Sequence, residues 1–255
     1  MSEIRSFKKD ELTVRVFDTR ENMGVVAAAE AASWIKEALS KKEEINIIFA
    51  AAPSQNDFLR SLIKEDIEWN RINAYHMDEY IGLSEDAPQG FANFLRRAIF
   101  DLVPFKSVNC FNGQNPDPKA ECERYTKLLL DNPCDIIFMG IGENGHIAFN
   151  DPGFAFFNDP ETVKIVKLDE VCRNQQVNDG CFEKLEDVPT HALTLTVPTL
   201  FNADYLFCTV PAPTKAQAVY NTVNAEINEE VPATIMRTHK NAVMYCDSDS
   251  GAKIL

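Results

Sequence analysis

Residues 134–152 read CDIIFMGIGENGHIAFNDP, and the rest of the chain is read outward from them. The first half is an apolar run of strand length. Directly after it come Gly140, Gly142, Glu143, Asn144, Gly145, His146, Asn150 and Asp151. A buried strand that empties into a polar, glycine-rich loop belongs in an open parallel sheet, where ligands bind beyond the carboxyl ends of the strands. His146 and Asp151 are therefore candidate site residues. Gly142 and Gly145 are candidate substrate-binding positions, since a backbone without side chains admits close approach. The competing reading is a plain turn whose glycines serve only the backbone.

Strands and helices alternate upstream. Residues 21–42 place Val25, Val26, Ala29, Ala32, Ile35 and Leu39 at helical spacing. The apolar run 45–51 reads as a strand, followed by a turn and a helix over 57–65. Ser54, with Gln55 beside it, falls where an N-cap would expose amides to an anion. Residues 72–80 read as the next strand and end in adjacent acids. Asp78 and Glu79 must face opposite ways in extended chain, so only one can serve a given site. A helix over 90–101 packs Phe91, Phe94, Leu95 and Ile99, with Arg97 at its side as a lesser ligand candidate. Asp117 caps a helix that returns to the central strand.

Downstream, 163–168 reads as a strand. Residues 169–189, with Arg173, Asn174, Gln175, Gln176, Asn178, Asp179 and Gly180, are too polar for a core element and read as a cover over the site. Strands follow at 192–197 and 205–210. A helix then opens with Thr214 and Lys215, where cations and exposed amides meet anions. Residues 233–238 form a short helix or turn, and 242–246 a last strand. The alternation predicts one α/β domain over 1–255: an open, mostly parallel Rossmann-like sheet with helices on both faces and a lid over 153–190.

The 255 residues carry a formal net charge of −14, which disfavours nucleic acid as a partner. No apolar run approaches the ~20 residues of a membrane span. Residues 1–12 are charged and lack a signal-peptide core, which places the chain in the cytoplasm. The seven cysteines are scattered, with no metal-ligand spacing, and are expected as free, buried thiols. No metal or other cofactor is expected.

Four segments together carry a family resemblance: MDEY at 77–80, GIGENGHIAFNDP at 140–152, VPTHALT at 188–194 and the helix start at Lys215. They resemble the glucosamine-6-phosphate deaminase/isomerase family, within a wider superfamily that includes 6-phosphogluconolactonases, over nearly the whole chain. The resemblance implies a cofactor-free conversion of glucosamine 6-phosphate to fructose 6-phosphate and ammonia. It implies that Asp78 moves a proton between C2 and C1, that His146 assists ring opening with Asn144 and Asp151 in support, and that Lys215 holds the phosphate. Ser54, Gln55, Arg173 and Thr214 join Lys215 as expected substrate-binding residues. Asp78 is expected to have ordinary carboxylate basicity, with position counting for more.

The chain departs from the family pattern in three places. AAAPSQN at 50–56 replaces a Gly-Gly-Thr or Gly-Gly-Ser element, Asp151 replaces a glutamate, and Asn178 stands where many members carry a lid arginine. A lactonase-type hydrolase is the first alternative, and it would not need Asp78. A non-catalytic sugar-phosphate sensor is the second, although residues 1–20 leave no room for the DNA-reading domain such regulators carry. The expected partner is a small-molecule sugar phosphate, and a homo-oligomer is compatible with this reading.

Overall fold

The computed structural model describes residues 2–168, 170–178 and 180–255, without the side chains of Val171, Cys172 and Gln175. Of the cover segment expected over 169–189, Asp169, Asp179 and the side chains of Gln175 and Cys172 therefore lie outside the described residues. In chain order the elements are β1 (Glu3–Lys9), β2 (Leu12–Phe17), α1 (Arg20–Lys41), β3 (Ile45–Phe49), α2 (Asn56–Leu62), β4 (Ile72–His76), β5 (Asp78–Tyr80), α3 (Phe91–Leu95) and β6 (Ser107–Asn109). Then come α4 (Pro118–Asp131), β7 (Ile136–Met139), β8 (Val163–Lys167), α5 (Glu170–Asn178), β9 (His191–Leu195), α6 (Val197–Phe201), β10 (Tyr205–Val210), α7 (Ala216–Asn224) and β11 (Ala242–Asp247).

The main sheet has the order β1-β2-β11-β10-β7-β3-β4-β6, and every pairing is parallel except β1 with β2. Alternation along each strand feeds a different core on each face. Ile47 and Phe49 of β3, Ile136 and Phe138 of β7 and Phe207 of β10 pack with α1, α2 and α3. Ile48, Ile137, Met139, Leu206 and Cys208 pack with α4, α6 and α7. Period-two side chains on strands buried on both faces produce this division directly. The N-terminal hairpin was not legible above: β1 is an exposed, charged edge, and only Leu12, Val14 and Val16 of β2 carry an apolar alternation. Among the described residues no helix is long and apolar enough to cross a membrane.

The expected single strand over 72–80 is two. β4 stays in the main sheet, the chain turns at Met77, and β5 pairs antiparallel with β9 in a separate sheet of order β5-β9-β8. The expected helix over 90–101 is also divided, into α3 and a wider turn over Arg96–Phe100 closed by Asp101 N–H donating to Arg96 O at 3.2 Å. Asp117 caps α4 as expected, accepting from the amides of Lys119 and Ala120.

His76 ends β4 completely buried, its Nε2 accepting from the Phe111 amide at 3.0 Å and its ring stacked on Phe111. Burial, helped by Arg96, pushes its pKa down to about 3. The unfolded chain takes up this proton near pH ~6.5, so stability is complete above that pH and is lost as pH falls from there toward about 3. The expected loss from this residue approaches about 1.4 kcal/mol per pH unit. Urea titrations between pH 7 and 4 should show a shallower decline for His76→Gln than for the wild type; equal slopes would contradict the assignment.

Candidate active site

The loops after β3, β4, β7 and β10 meet at the carboxyl edge of the main sheet and enclose a cleft of about 580 Å³. Its lining includes Ser54, Asp78, Gly142, His146, Thr214 and Lys215, so residues far apart in the chain share one space.

Asp78 comes to the cleft because the strand breaks at Met77: β5 leaves the main sheet at its edge and carries the carboxylate over the opening. It is 7% exposed. Burial first, and the charge of Glu79 second, hold its carboxyl well above the ordinary carboxylate range. This corrects the expectation of ordinary basicity, because that expectation lacked the desolvation that only the fold supplies. Glu79 faces the other way, where its carboxylate accepts from the amides of Tyr80, Phe91 and Ala92 at 2.9–3.0 Å. Those bonds tie β5 to the start of α3, whose Phe91 and Phe94 also line the cleft.

His146 is 8% exposed and is held from three sides. Its backbone N–H donates to Asn144 Oδ1 at 3.0 Å, while Asn144 Nδ2 donates to Asp151 Oδ1 at 2.9 Å. Asp151 Oδ1 in turn lies 3.0 Å from His146 Nδ1, close in distance although off the line of an aligned ring hydrogen bond. Asn144 and Asp151 thus stand behind the imidazole rather than in the cleft. On the other side the ring lies against Gly142, where an added Cβ would fall 2.2 Å from Cε1. Gly145, at φ +83°, makes the left-handed turn that returns the loop, and it too stays off the lining.

Two more of the expected substrate-binding residues, besides Gly145, are turned elsewhere. Gln55 is 1% exposed, and its amide bridges strand ends, donating toward Ser54 Oγ, Met139 O and Thr209 O and accepting from Thr209 Oγ1. Arg173 donates to the carbonyls of Leu185 and Val188, which holds the cover segment together. Ser54 does line the cleft but caps no helix: it sits inside a tight turn, Pro53–Gln55, that opens on Ala52. Thr214 and Lys215 likewise lie in a tight turn, Pro213–Lys215, ahead of α7. That turn starts at Ala212, whose φ of +89° is costly for a residue with a Cβ; Asp247 Oδ2 fixes it by accepting the Ala212 amide at 3.0 Å.

The cover segment reaches the cleft through Gln176, Gly180 and Cys181. Arg20, Gln89 and Arg97 line it as well. Of these, Arg20 had no signal in the sequence, because the first residue of a helix reads as a solvated end. Among the described residues, no group of three or more His, Cys, Asp or Glu side chains is placed to hold a metal ion; Cys208 and Cys246 are free, buried thiols as expected, while Cys110, Cys122 and Cys134 are free but only partly buried, because Cys110 and Cys134 lie just outside strand ends and Cys122 lies on α4 rather than inside the sheet.

Residues 18–245 match the model of the glucosamine-6-phosphate isomerase/6-phosphogluconolactonase family. The chain belongs to this family. A glucosamine-6-phosphate deaminase of Bacillus cereus (strain B4264) is 35% identical over 216 residues, 85% of this chain and 80% of that one. One from Streptococcus sanguinis (strain SK36) is 31% identical over 220 residues, 86% and 91% of the two chains. Among solved structures, a monomeric glucosamine-6-phosphate deaminase superposes with a TM-score of 0.85 at 28% identity, covering 94% of this chain and 99% of its own. A 6-phosphogluconolactonase from Thermotoga maritima gives 0.76 at 16% identity, covering 92% and 99%, which is a likeness of fold. Membership in the family accounts for the strand-end position of the cleft, and it makes the interior of that cleft the place to look for chemistry.

Proposed function

We propose that this family member is a glucosamine-6-phosphate deaminase, converting glucosamine 6-phosphate and water to fructose 6-phosphate and ammonia. The observation that carries the reading is Asp78: a buried carboxylate of raised basicity in the same cleft as His146. His146 assists proton movement between the ring oxygen and O1 as the pyranose opens, with Asn144 and Asp151 fixing its place. Asp78 then takes the C2 proton and returns it to C1. The enolamine between these steps becomes the ketose imine, and water adds to C2 and releases the nitrogen as ammonia. A hydrolase acting on a lactone would need a base for water and no carboxylate facing C2, so Asp78 weighs against that alternative. A sensor would gain nothing from a carboxylate of raised basicity.

In this reading Lys215 and Thr214 hold the 6-phosphate at the end of β10, segment 153–190 acts as a lid through α5, and the whole chain works as one cytoplasmic unit on a small sugar phosphate. Lys215→Ala should raise KM about 10–100-fold, the range for losing a hydrogen bond to a charged group. Unchanged KM would remove Lys215 from the phosphate site. The deciding assay measures ammonia and ketose release across a panel of amino-sugar and sugar 6-phosphates and 6-phosphogluconolactone. Turnover of the lactone alone would overturn the deaminase reading.

A further inference from the structure

A phosphate dianion entering a chain of net charge −14 needs donors concentrated where it lands. The turn after β3 offers few. Pro53 has no N–H, the Gln55 amide donates to Ala52 O at 2.9 Å, and the Gln55 side chain is held by the strand ends. Arg20 stands beside this turn. β2 runs parallel to β11, so α1 begins at the same carboxyl edge as the cleft loops. Gly24 lets α1 come so near α2 that an added Cβ would lie 2.7 Å from the Asp57 carbonyl carbon. Across that contact Arg20 Nε donates to Asp57 Oδ2, and its Nη2 lies 3.5 Å from Pro53 O. The buried Asp57 also accepts from Arg60 Nη1 at 3.3 Å. Arg20 Nη1 makes no hydrogen bond among the described residues, and the side chain lines the cleft together with Ser54 and Lys215.

We propose that Arg20 is a phosphate-binding residue of this cleft, completing with Lys215 and Ser54 the subsite for the substrate's 6-phosphate. This rests on the deaminase reading for the identity of the phosphate, but not for its binding. A guanidinium tethered through Nε, with one Nη2 N–H directed at Pro53 O, keeps both Nη1 N–H groups and the second of Nη2 for a tetrahedral oxyanion, and it supplies the planar fork that a lysine lacks. Asp57 is then a positioning residue: it aims Arg20 without touching the ligand. Arg20 takes over donors that Pro53 and Gln55 withhold from the loop.

The test compares wild type, Arg20→Gln, Arg20→Lys and Asp57→Asn for KM and kcat with glucosamine 6-phosphate. It also measures inorganic phosphate affinity by thermal protection, which needs no turnover. Arg20→Gln should raise KM and weaken phosphate each about 10–100-fold, with a smaller change in kcat. Arg20→Lys should recover part of the loss, and Asp57→Asn should weaken phosphate by a smaller factor. If Arg20→Gln fails to fold because Asp57 is left short of a partner, the Arg20→Gln, Asp57→Asn double variant makes the same comparison. Wild-type phosphate affinity in an Arg20→Gln protein, or no phosphate protection of the wild type, overturns the subsite. Loss of phosphate protection in Arg20→Gln, with no amino-sugar turnover by the wild type, leaves the subsite standing and removes the deaminase reading.

Discussion

Asp78→Asn lowers turnover by at least ~10²-fold, the low end for removing a general base, and at the same time makes the folded protein more stable at neutral pH. The two effects share one cause. Burial and Glu79 raise the carboxyl of Asp78 well above its unfolded value, so its charge is harder to carry in the cleft than in water. For an acid whose folded pKa is raised, the penalty is absent below the unfolded value near ~3.9, grows as pH rises toward the folded value and is constant above it. Asparagine keeps the shape and carries no charge. Urea unfolding should therefore show the variant ahead of wild type at pH 8 and the gap closing near pH 4. Deuterated water gives the catalytic half of the result: in the turnovers in which the protonated Asp78 exchanges with solvent before it protonates C1, wild type places deuterium at C1 of the ketose, and Asp78→Asn does not. Wild-type incorporation in the variant would remove Asp78 from proton transfer, and a loss of neutral-pH stability would contradict its burial as a charge.

Gly142→Ala is the second large effect. The new methyl would stand 2.2–2.4 Å from Cε1, Nδ1 and Nε2 of His146, distances at which one group has to leave. The backbone cannot yield easily, because Gly142 N–H donates to His146 O at 2.9 Å and Gly145 N–H donates to Gly142 O at 3.0 Å. The imidazole therefore rotates off Asp151. A displacement of about 1 Å in a reacting group costs on the order of 10²-fold in rate, and overpacking costs about 1–3 kcal/mol in stability. Turnover should fall by that factor while the variant stays folded, and the histidine ring resonances in NMR spectra should move. Full activity in a folded Gly142→Ala would mean that His146 has no fixed role in the reaction.

Much of the fold was legible because parallel strands buried on both faces advertise themselves as short apolar runs: 45–51, 134–139 and 205–210 needed no other signal. The hairpin at the N-terminus was hidden, since Glu3, Arg5, Lys8 and Lys9 make β1 look like a solvated tail. The break at Met77 was hidden too, because local sequence does not say which sheet a strand joins. Strand-end position and resemblance singled out His146 and Asp78, and the structure brings both to the lining of one cleft. The raised basicity of Asp78 could not be found that way, because it is a property of neighbours brought in from elsewhere in the chain. Gln55 and Arg173 were expected in the cleft from their places in the turn after β3 and in the cover segment, together with the resemblance. Long polar side chains serve a nearby carbonyl as readily as a ligand, and only the fold decides which.

The departure of β5 from the main sheet has a mechanical consequence. Asp78 pairs with Thr194, and Phe149 of the histidine loop donates its amide to Thr194 Oγ1 at 3.1 Å, so the Asp78 carboxylate and the His146 loop are hung from the same rung of the small sheet. The groups at the end of β10 belong to the other sheet. The smaller assembly can then behave as one cooperative unit whose docking sets the distance from Asp78 and His146 to Thr214 and Lys215, and so, in the deaminase reading proposed above, from the reacting carbons to the phosphate. Slow exchange of the Thr194 and Leu195 amides should track enzyme activity through a denaturant titration more closely than exchange in β3 or β7, turning a three-stranded ribbon into a gauge of catalytic competence.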